Sequence, residues 1–595
     1  MNARVKAGYS IFLSAIIAVA MQTSVISQEK NSELYVSLKG NDNASGTREL
    51  PFRSIQHAVK NAVPGTAIYV HGGVYNESVY VDKSGTSEKY ITIQNYPGEK
   101  PVLDLKFEKP FGFAIEGSYI IIRGFEIKNV SCDMELKPDI KGNPPSIIGG
   151  VMILPPAHHC RIENNLIHHI IGNKKKTPDG IYVENGTDFI TIKNNTIHNV
   201  AGRTEAMGIL ACAGEGFLIS NNLVYFCDKE GIRIMSRKYD SENTVENNIV
   251  LYCHMGISFN SCWSDRKTVG KNNFCGWNWG RGMNPKHTKN VVLEHNTIYG
   301  NEEWGIDIHG NGQSTKKDNT NPRVMNNIFS MNSVSWLLLR SQIFSGLADY
   351  NFYQYKNGAV LGAFSSEPGD VCYNLNEVRE KTKKSKSFVS SCEMHGIAGD
   401  PMFTASERFD FRLNASSPAK NAGSDGRDMG VLEEALKSVG ADGLYSLAKI
   451  PDLGKIKATV ESFSSETPEG KAANLVDGNR NSFWEVDCKK DKEKEVIFKF
   501  PAEYEIENII ITKYGGGEKY FYKDFELYYL GNSSGDWKKV PPSPEHPFSG
   551  FGIIYNGEIW TLPPSIKTQK LKLKIFSSYG ETIRIPEILF FKKNK

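Results

Sequence analysis

The stretch GIYVENGTDFITIKNNTI, residues 180–197, decides the fold because its two parts recur along the chain. A glycine is followed by alternating aliphatic residues, and an Asn-Asn-aliphatic cluster comes later in the unit. Successive clusters are 23 to 31 residues apart. The second Asn of the cluster, or a single Asn in its place, stands at Asn165, Asn195, Asn222, Asn248, Asn273, Asn296, Asn327 and Asn351.

The glycine-led segments repeat in step with these asparagines. A period of roughly 25 residues, with period-two alternation inside each unit, indicates a β-solenoid rather than a sandwich. Strands of successive coils then lie in parallel register about 4.8 Å apart, and an Asn at a fixed turn can stack its amide on the next coil. We therefore predict a right-handed parallel β-helix. Its glycine-led segments are GVMIL (150–154), GIYVE (180–184), GILAC (208–212), GIRIM (231–235), GISFN (256–260), GMNPK (282–286) and GIDIH (305–309), followed by WLLLR (336–340).

Length and charge narrow the class of protein. A chain of 595 residues is too long for one ordinary core, so at least two domains are expected. Its 70 basic and 67 acidic residues give a net charge of +3, which argues against nucleic-acid binding. The ten cysteines lack metal-ligand spacing, and buried free thiols are favoured over a disulfide framework. We expect a monomer.

The N-terminus has the pattern of an export signal. Arg4 and Lys6 precede an apolar run at 9–21, and a polar stretch with small residues follows. We predict a cleaved signal peptide at residues 1–27 and a secreted or periplasmic protein of bacterial type. The apolar run is too short for a comfortable membrane span.

Two blocks carry a family resemblance. The block YVSLKGNDNASGT (35–47) with PFRSIQHAVKNAVPGTAIYVHGGVYNESVYV (51–81), and the block DPMFTASERFDFRLNASSPAKNAGSDG (400–426), resemble the first and last coils of pectate-lyase-superfamily β-helix proteins. The resemblance implies a catalytic β-helix domain at 33–430, with an amphipathic helix at 54–63 covering its open end. This scaffold hosts lyases, hydrolases, epimerases and adhesins, so the resemblance specifies the fold better than the reaction.

The C-terminal part belongs to a different class. After a connection predicted as a linker at 431–453, the stretches AANLVDGNRNSFWEV (472–486) and IRIPEILFF (583–591) resemble discoidin or coagulation-factor type C domains, whose shape is shared with a carbohydrate-binding module. We therefore predict a carbohydrate-binding β-sandwich of jelly-roll type at 454–595, and an all-β protein overall. The resemblance implies a structural Ca²⁺ near Asp477 and Glu587, since oxygen ligands suit calcium.

The solenoid strands show where chemistry is concentrated. In each glycine-led strand the first and third residues after Gly must point inward, so the second and fourth point outward. Polar and charged residues gather in the outward columns of the coils from 256 to 340. There the second column reads Ser258, Asn284, Asp307, Leu338 and the fourth reads Asn260, Lys286, His309, Arg340.

These columns define the candidate site. In the predicted roles Lys286 is a general base, His309 an acid or alternate base, and Asp307 orients or tunes one of them. Arg340 and Asn260 would grip a uronate carboxylate. Further substrate contacts are predicted at Asn284, Arg233, Arg237, Tyr182 and Trp263, with Trp277 and Trp279 adding aromatic faces for sugar rings.

Two reactions compete on such a face. A glycoside hydrolase needs two carboxyl groups flanking the scissile bond, and Asp307 has no carboxylate partner in the neighbouring outward positions. Acids expected in loops leave hydrolysis open. A lyase needs a neutralised carboxylate, a base and an acid, which favours β-elimination on a uronic-acid glycan. The loop acids are Asp179, Glu230, Asp265, Glu302 and Glu303.

Similarity to β-helix lyases acting on alginate and dermatan supports this choice in part. There a Lys base and an Arg acid sit about one coil apart, and Asn and Glu residues hold calcium. Lys286 fits the base and Asn260 the Asn ligand, but His309 stands where Arg is expected. A catalytic Ca²⁺ is therefore an open question. The alternatives are a hydrolase using Asp307 within an acid pair, a non-catalytic glycan-binding adhesin, and a face that is polar only because it is solvated.

Overall fold

The structure is a computed structural model. It describes residues 33–131, 147–172, 177–202, 205–236, 242–263, 265–308, 319–338, 343–354, 360–363, 371–383, 388–478, 482–490, 494–512, 520–531, 535–541, 557–563 and 566–593. The predicted signal peptide lies outside these residues. Within them, no helix is both long enough and apolar enough to cross a membrane.

Three parallel twelve-stranded sheets form the solenoid, and each coil contributes one strand to each sheet. The first sheet contains Glu33–Val36, Ala67–Val70, Ile91–Asn95, Ile120–Arg123, Arg161–Glu163, Thr191–Lys193, Leu218–Ser220, Asn243–Glu246, Thr268–Lys271, Val291–Glu294, Arg323–Met325 and Leu347–Asp349. The second contains Gly73–Tyr75, Pro101–Asp104, Glu126–Val130, Leu166–Ile171, Thr196–Ala201, Leu223–Cys227, Ile249–Leu251, Phe274–Gly276, Thr297–Tyr299, Ile328–Ser330, Phe352–Gln354 and Ile397–Ala398.

The third sheet carries the glycine-led strands, and only its last strand is antiparallel to its neighbour. Its members are Val79–Val81, Phe111–Ile115, Ile147–Ile153, Thr177–Val183, Met207–Ala211, Glu230–Ser236, Met255–Cys262, Arg281–Lys286, Trp304–Ile308, Val334–Leu338, Val360–Ala363 and Val371–Cys372. The predicted parallel β-helix is therefore confirmed.

Inward positions alternate as the sequence predicts. Ile306 and Ile308 are about 1% exposed and belong to one core cluster that runs through the coils. Helix Ile55–Lys60, capped by the Ser54 hydroxyl, packs on the first coil and buries Ile55, as expected of a cap. A second helix, Leu375–Lys383, lies near the other end. The nine described cysteines are free thiols, most of them buried, which confirms that prediction for this part of the chain.

The repeated asparagines build a buried ladder. Asn222 is typical: its amide nitrogen donates to the Ile192 carbonyl (2.9 Å) and to Asn248 Oδ1 (3.0 Å). Its Oδ1 accepts from the backbone N–H (2.9 Å) and the amide (3.1 Å) of Asn195. Each side chain thus ties its own coil to the coils before and after it, which satisfies buried backbone groups at the turn.

The two asparagines of each cluster have different tasks. The second Asn forms the ladder, whereas the first adopts the left-handed backbone conformation, with φ of +55° at Asn164 and +56° at Asn194. Asn tolerates this region better than most residues. The Asn-Asn pair is therefore one turn residue followed by one cross-linking residue.

A glutamate ends the ladder. The Glu393 carboxylate accepts from the amide of Asn351 (2.8 Å) and from the hydroxyl of Tyr353 (2.8 Å). The side chain is fully buried, and burial raises its pKa to about 8. The last rung is therefore a carboxyl group that is mostly protonated at neutral pH.

The C-terminal domain is an antiparallel discoidin-type sandwich, which confirms the second predicted fold. Its strands are Lys455–Ile456, Thr459–Phe463, Trp484–Asp487, Lys494–Thr512, Tyr522–Leu530, Trp537–Lys539, Gly557–Thr561, Lys567–Ser578, Thr582–Ile585 and Ile588–Lys592. Trp484 is fully buried in its core. The remaining short elements are strands Asn319–Thr320, Ile343–Phe344, Phe403–Ala405 and Asp410–Leu413, and 3₁₀ turns Ser406–Arg408 and Ala472–Val476.

The two domains share an apolar interface on the second sheet of the solenoid. The Phe591 ring lies 4.8 Å from Phe226 and 5.0 Å from Tyr252, and Asn199 donates to Asn508 Oδ1 at 2.8 Å. The segment 431–453, predicted as a linker, runs along the surface where the two domains meet. It lies in this interface and contributes buried residues Val431, Leu436, Val439, Leu447, Ile450 and Leu453.

Candidate functional site

The outer face of the third sheet has three outward columns, and sequence reasoning counted only two. The residue before each glycine also lies on the outer side, because the glycine itself faces the core: a Cβ added at Gly231 or Gly282 would meet the core side chain of Val250 or Ile298, so strict alternation is interrupted after the glycine. Asp179 and Glu230, predicted as loop acids, lie on strands Thr177–Val183 and Glu230–Ser236 in this column, so their placement in loops was wrong. The column reads Asp179, Met207, Glu230, Met255, Arg281 and Trp304.

Lys286 ends strand Arg281–Lys286 and is partly buried. Burial lowers its pKa below the ordinary range for a lysine, and the charges of Arg281 and Arg233 lower it further. The charge of Asp307 raises the pKa of Lys286, but by less than burial and the two arginines lower it. The amine therefore loses its proton more readily than an exposed lysine, as a general base requires.

Asp307 lies on the outer side of its strand but is fully buried, not open to solvent as the columns suggested. Its Oδ2 forms an ion pair with Nε of Arg281 at 2.5 Å. Arg281 belongs to the uncounted column, and its guanidinium carbon lies 5.3 Å from the centre of the Trp304 ring on the next coil. The principal charged contact of Asp307 is thus an arginine missing from the sequence prediction.

Arg233 is held by two carboxylates. Its guanidinium pairs with Glu230 at 2.6 Å and with Glu205 at 3.1 Å, and Lys229 also pairs with Glu205 at 2.7 Å. With both carboxylates attached, Arg233 serves mainly to neutralise the buried Glu230 and the partly exposed Glu205.

Asp179 is a buried acid on the same face. Its Oδ1 accepts from the Met207 N–H at 3.1 Å, and burial raises its pKa to about 8. Asp179 is therefore largely neutral at pH 7. The cations Lys229, Arg233 and Arg281 lie against the acids Glu205, Glu230 and Asp307 on this face, so these charges offset one another.

Two asparagines and an exposed tryptophan lie on the strand of Lys286, on the preceding strand or just beyond it. Asn260 is its partner in the register of the preceding coil, and its Oδ1 accepts from Ser261. Asn284 is buried and donates to the Asp307 carbonyl at 2.7 Å, so its amide mainly braces the next coil. Trp263 follows strand Met255–Cys262 at the same end of the sheet and is 39% exposed, which leaves its ring available to a sugar.

Other predicted contacts lie elsewhere. Tyr182 is buried in an apolar patch with Met152 and Leu210, and its hydroxyl donates to Glu184 at 2.6 Å. Trp279 is 1% exposed and, with Trp277, packs in the domain interface rather than on the outer face of the third sheet. The predicted residues Arg237, His309 and Arg340 lie outside the described residues.

Asp477 and Glu587 meet in the C-terminal domain. Both line one cavity of about 330 Å³, and Asp477 Oδ2 accepts from the Ser482 hydroxyl at 2.7 Å. Glu587 is 5% exposed. The predicted calcium pair is therefore close in space, and its oxygen donors are of the kind calcium prefers.

Comparison with known proteins covers both domains. The family model described as the Pel9A-like right-handed β-helix region matches residues 34–335, and the F5/8 type C domain model matches residues 457–588. An uncharacterized Bacillus subtilis protein, YwoF, is 30% identical over 184 residues, which span 29% of this chain and 37% of that protein. The pectate lyase PEL9 of Emericella nidulans is 39% identical over 75 residues, 12% of this chain and 18% of that protein. Both alignments thus span well under two thirds of the relatives' length.

Two solved structures are also similar to parts of the chain. Pectate lyase Pel9A is 15% identical, with 67% of this chain and 96% of that chain covered and a TM-score of 0.41. The family 32 carbohydrate-binding module of C. perfringens NanJ, in complex with galactose, is 19% identical, with 23% of this chain and 98% of that chain covered and a TM-score of 0.21. Because the β-helix family model spans half of the chain, the protein belongs to the Pel9A-like right-handed β-helix family, with an F5/8 type C domain following the solenoid.

Proposed function

We propose that this protein is an exported polysaccharide lyase that cleaves a uronic-acid-containing glycan by β-elimination. The observation that carries the proposal is Lys286, a partly buried lysine whose pKa is lowered by burial and by the nearby arginines Arg281 and Arg233. That combination supplies a base of the kind that β-elimination requires. Membership of a family named after a pectate lyase agrees with it.

The chemistry assigns a simple sequence of bond changes. Lys286 Nζ removes the proton from the carbon next to the uronate carboxylate, a double bond forms to the neighbouring carbon, and the glycosidic oxygen leaves that carbon with a proton. No water is consumed. Asn260 is proposed to bind the sugar near Lys286, and Trp263 to stack on an adjoining ring. The assignments of His309 as acid and Arg340 as a carboxylate contact remain part of the proposal.

Hydrolysis fits the described face less well. Asp179 and Asp307 are buried, and Glu230 is buried against Arg233. A hydrolase needs one carboxylic acid and one carboxylate that reach the bond from opposite sides. Acids covered by neighbouring side chains and paired with cations do not offer that arrangement to a polymer.

The ion pairs of Glu205 and Glu230 with Lys229 and Arg233 show whether these carboxylates could bind a catalytic calcium ion. Lys229 and Arg233 already occupy the space among the carboxylates of Glu205 and Glu230. Among the described residues, no group of three or more His, Cys, Asp or Glu side chains could hold a metal ion. The donor set of the described outer face therefore does not fit a divalent cation, and no step is assigned to one. In the C-terminal domain, Asp477 and Glu587 would hold a structural calcium ion.

The C-terminal domain is proposed to bind glycan. The F5/8 type C match supports this, and the apolar attachment to the second sheet fixes the domain's position relative to Lys286. We expect the C-terminal domain to bind a polymer at a fixed position beside the solenoid, and not to move independently on a flexible linker.

The proposal is tested with a panel of uronic-acid and neutral polysaccharides, with and without chelator. Elimination gives unsaturated uronides that absorb near about 232 nm and weigh one water, about 18 mass units, less than hydrolysis products. Lys286→Ala should remove this activity, while Lys271→Ala, which alters an exposed lysine paired with Glu246 on the first sheet, should keep it. Reducing ends without absorbance would favour a hydrolase, and binding without turnover an adhesin.

A further inference from the structure

Arg281 stands out because the chain orients it in three ways. Asp307 holds Nε, the Trp304 ring lies against the guanidinium at 5.3 Å, and Met255 Sδ is 3.5 Å from Nη1. A ring contact of this kind engages the flat face of the guanidinium and leaves its edges for hydrogen bonds in the plane. The side chain is 21% exposed, so the ordered group also reaches solvent.

Arg281 differs from Arg233 in the number of carboxylates that are paired with its guanidinium group. Arg233 meets two carboxylates, one through Nη1 and one through Nη2. Arg281 meets the carboxylate of Asp307 through Nε, and among the described residues no second carboxylate is paired with it. The fork of an arginine matches a carboxylate with two parallel hydrogen bonds, and such an edge remains on Arg281.

Position connects this arginine to the proposed base. Arg281 and Lys286 begin and end the same strand. The ion pair carries the Arg281 guanidinium along the sheet to Asp307, whose carbonyl accepts from Asn284, and Asn284 precedes Lys286 by two residues, or about 7 Å. In β-elimination the carboxylate that must be neutralised is bonded to the carbon that loses its proton. Base and carboxylate receptor must therefore lie within one sugar ring of each other.

We propose that Arg281 receives the carboxylate of the uronate that is cleaved, and that Asp307 and Trp304 are positioning residues that hold it in place. This inference rests on the proposed lyase function. It assigns Asp307 to Arg281 rather than to Lys286 or His309. It also makes the free carboxylate, rather than its ester, the substrate feature that the site selects.

The test compares one uronate oligomer in two forms, with free carboxylates and fully methyl-esterified, by calorimetric binding and by turnover. Arg281→Ala would leave Asp307 buried without its partner, so the main variant is the double substitution Arg281→Gln with Asp307→Asn, which removes both charges. Arg281→Lys keeps the charge but loses the planar fork. Arg123→Gln is the matched control, because Arg123 lies on the first sheet and donates to Gln94.

The wild type should bind the free-acid oligomer more tightly than the ester. The double variant should lose roughly 10- to 100-fold in affinity for the free acid, the size of a charge-assisted pair, and should bind the ester as before. Arg281→Lys should fall between them. Equal losses for both oligomers, or no preference in the wild type, would overturn the inference. Free-acid binding that depends on Arg281 without any elimination product would instead overturn the lyase proposal alone.

Discussion

Glu393→Gln tests the buried end of the asparagine ladder. The glutamine oxygen can still accept from the Asn351 amide and the Tyr353 hydroxyl, because Glu393 Oε1 accepts both at 2.8 Å in the native protein. What the substitution removes is the ionisable group. Asp349 lies nearby and opposes ionisation of Glu393 further, so a neutral side chain suits this position above pH 7.

The sign follows from proton binding. Burial raises the pKa of Glu393 from an ordinary 4.5 to about 8, so between these values the folded state holds a proton that the unfolded state has released. The free energy of unfolding therefore falls as pH rises from about 4.5 to about 8, and the penalty is complete above that range. A difference of about 3.5 pKa units corresponds to about 5 kcal/mol in total, at about 1.4 kcal/mol per pH unit.

The assay is thermal and denaturant unfolding of wild type and Glu393→Gln from pH 5 to pH 9, with Glu380→Gln as the exposed control. The variant should resemble the wild type near pH 5 and become the more stable protein at pH 8, by several kcal/mol. Curves that stay parallel across this range would refute the argument, because they would mean that Glu393 ionises normally in the fold.

Three further outcomes follow from the same structure. Asn222→Ala removes four side-chain hydrogen bonds from the ladder and should lower the free energy of unfolding by about 3–5 kcal/mol. The control Asn185→Ala, at an exposed position, should lower it by under about 1 kcal/mol. Equal losses for the two variants in denaturant unfolding would contradict a stabilising role for the ladder. Phe591→Ala should weaken the contact between the two domains by about 3–5 kcal/mol. In calorimetry the single unfolding transition of the wild type should then split into two. A single transition that stays unchanged in the variant would speak against rigid attachment. Calcium should raise the melting temperature of the C-terminal domain in the wild type but not in Asp477→Ala, and identical responses would remove the calcium assignment.

The sequence predicted the solenoid well because the coil repeats the same requirements. Alternation alone placed Ile306 and Ile308 in the core and the polar residues between them on the outer side. The Asn-Asn pair predicted a stacked turn, although the division between a left-handed residue and a cross-linking residue needed the backbone angles.

The sequence predicted Lys286 and Asp307 as site residues but missed Arg281, because too few outward positions were counted on each strand. Outward positions were counted from the residue after each glycine, so the residue before it was missed, and with it Arg281. Strict alternation would have placed Arg281 inward, because it lies two residues before the core residue Met283; it faces outward because Gly282 itself faces the core and interrupts the pattern. The ion pair between Arg281 and Asp307 joins two different outward columns, so a list of the residues in each column could not predict it.

Contacts between domains were beyond sequence reasoning. Trp277 and Trp279 looked like sugar platforms, but both belong to the apolar cluster between the domains, where Trp277 packs against Phe409 and Phe411. No period or motif reports where one domain attaches to another. Hydrophobic residues on an outward face can indicate an interface as well as a glycan site.

The central claim is elimination without water, with Lys286 as the base, and one measurement tests it most directly. A uronate polymer is degraded by the native protein in water labelled with heavy oxygen, and the products are weighed. The account predicts unsaturated products that carry no label beyond the slow exchange of reducing-end oxygen seen in an undigested oligomer kept in the same water, because the bond is broken by loss of a proton to the enzyme. Saturated products that carry one labelled oxygen atom per cleaved bond from the earliest time points would contradict it and identify a hydrolase.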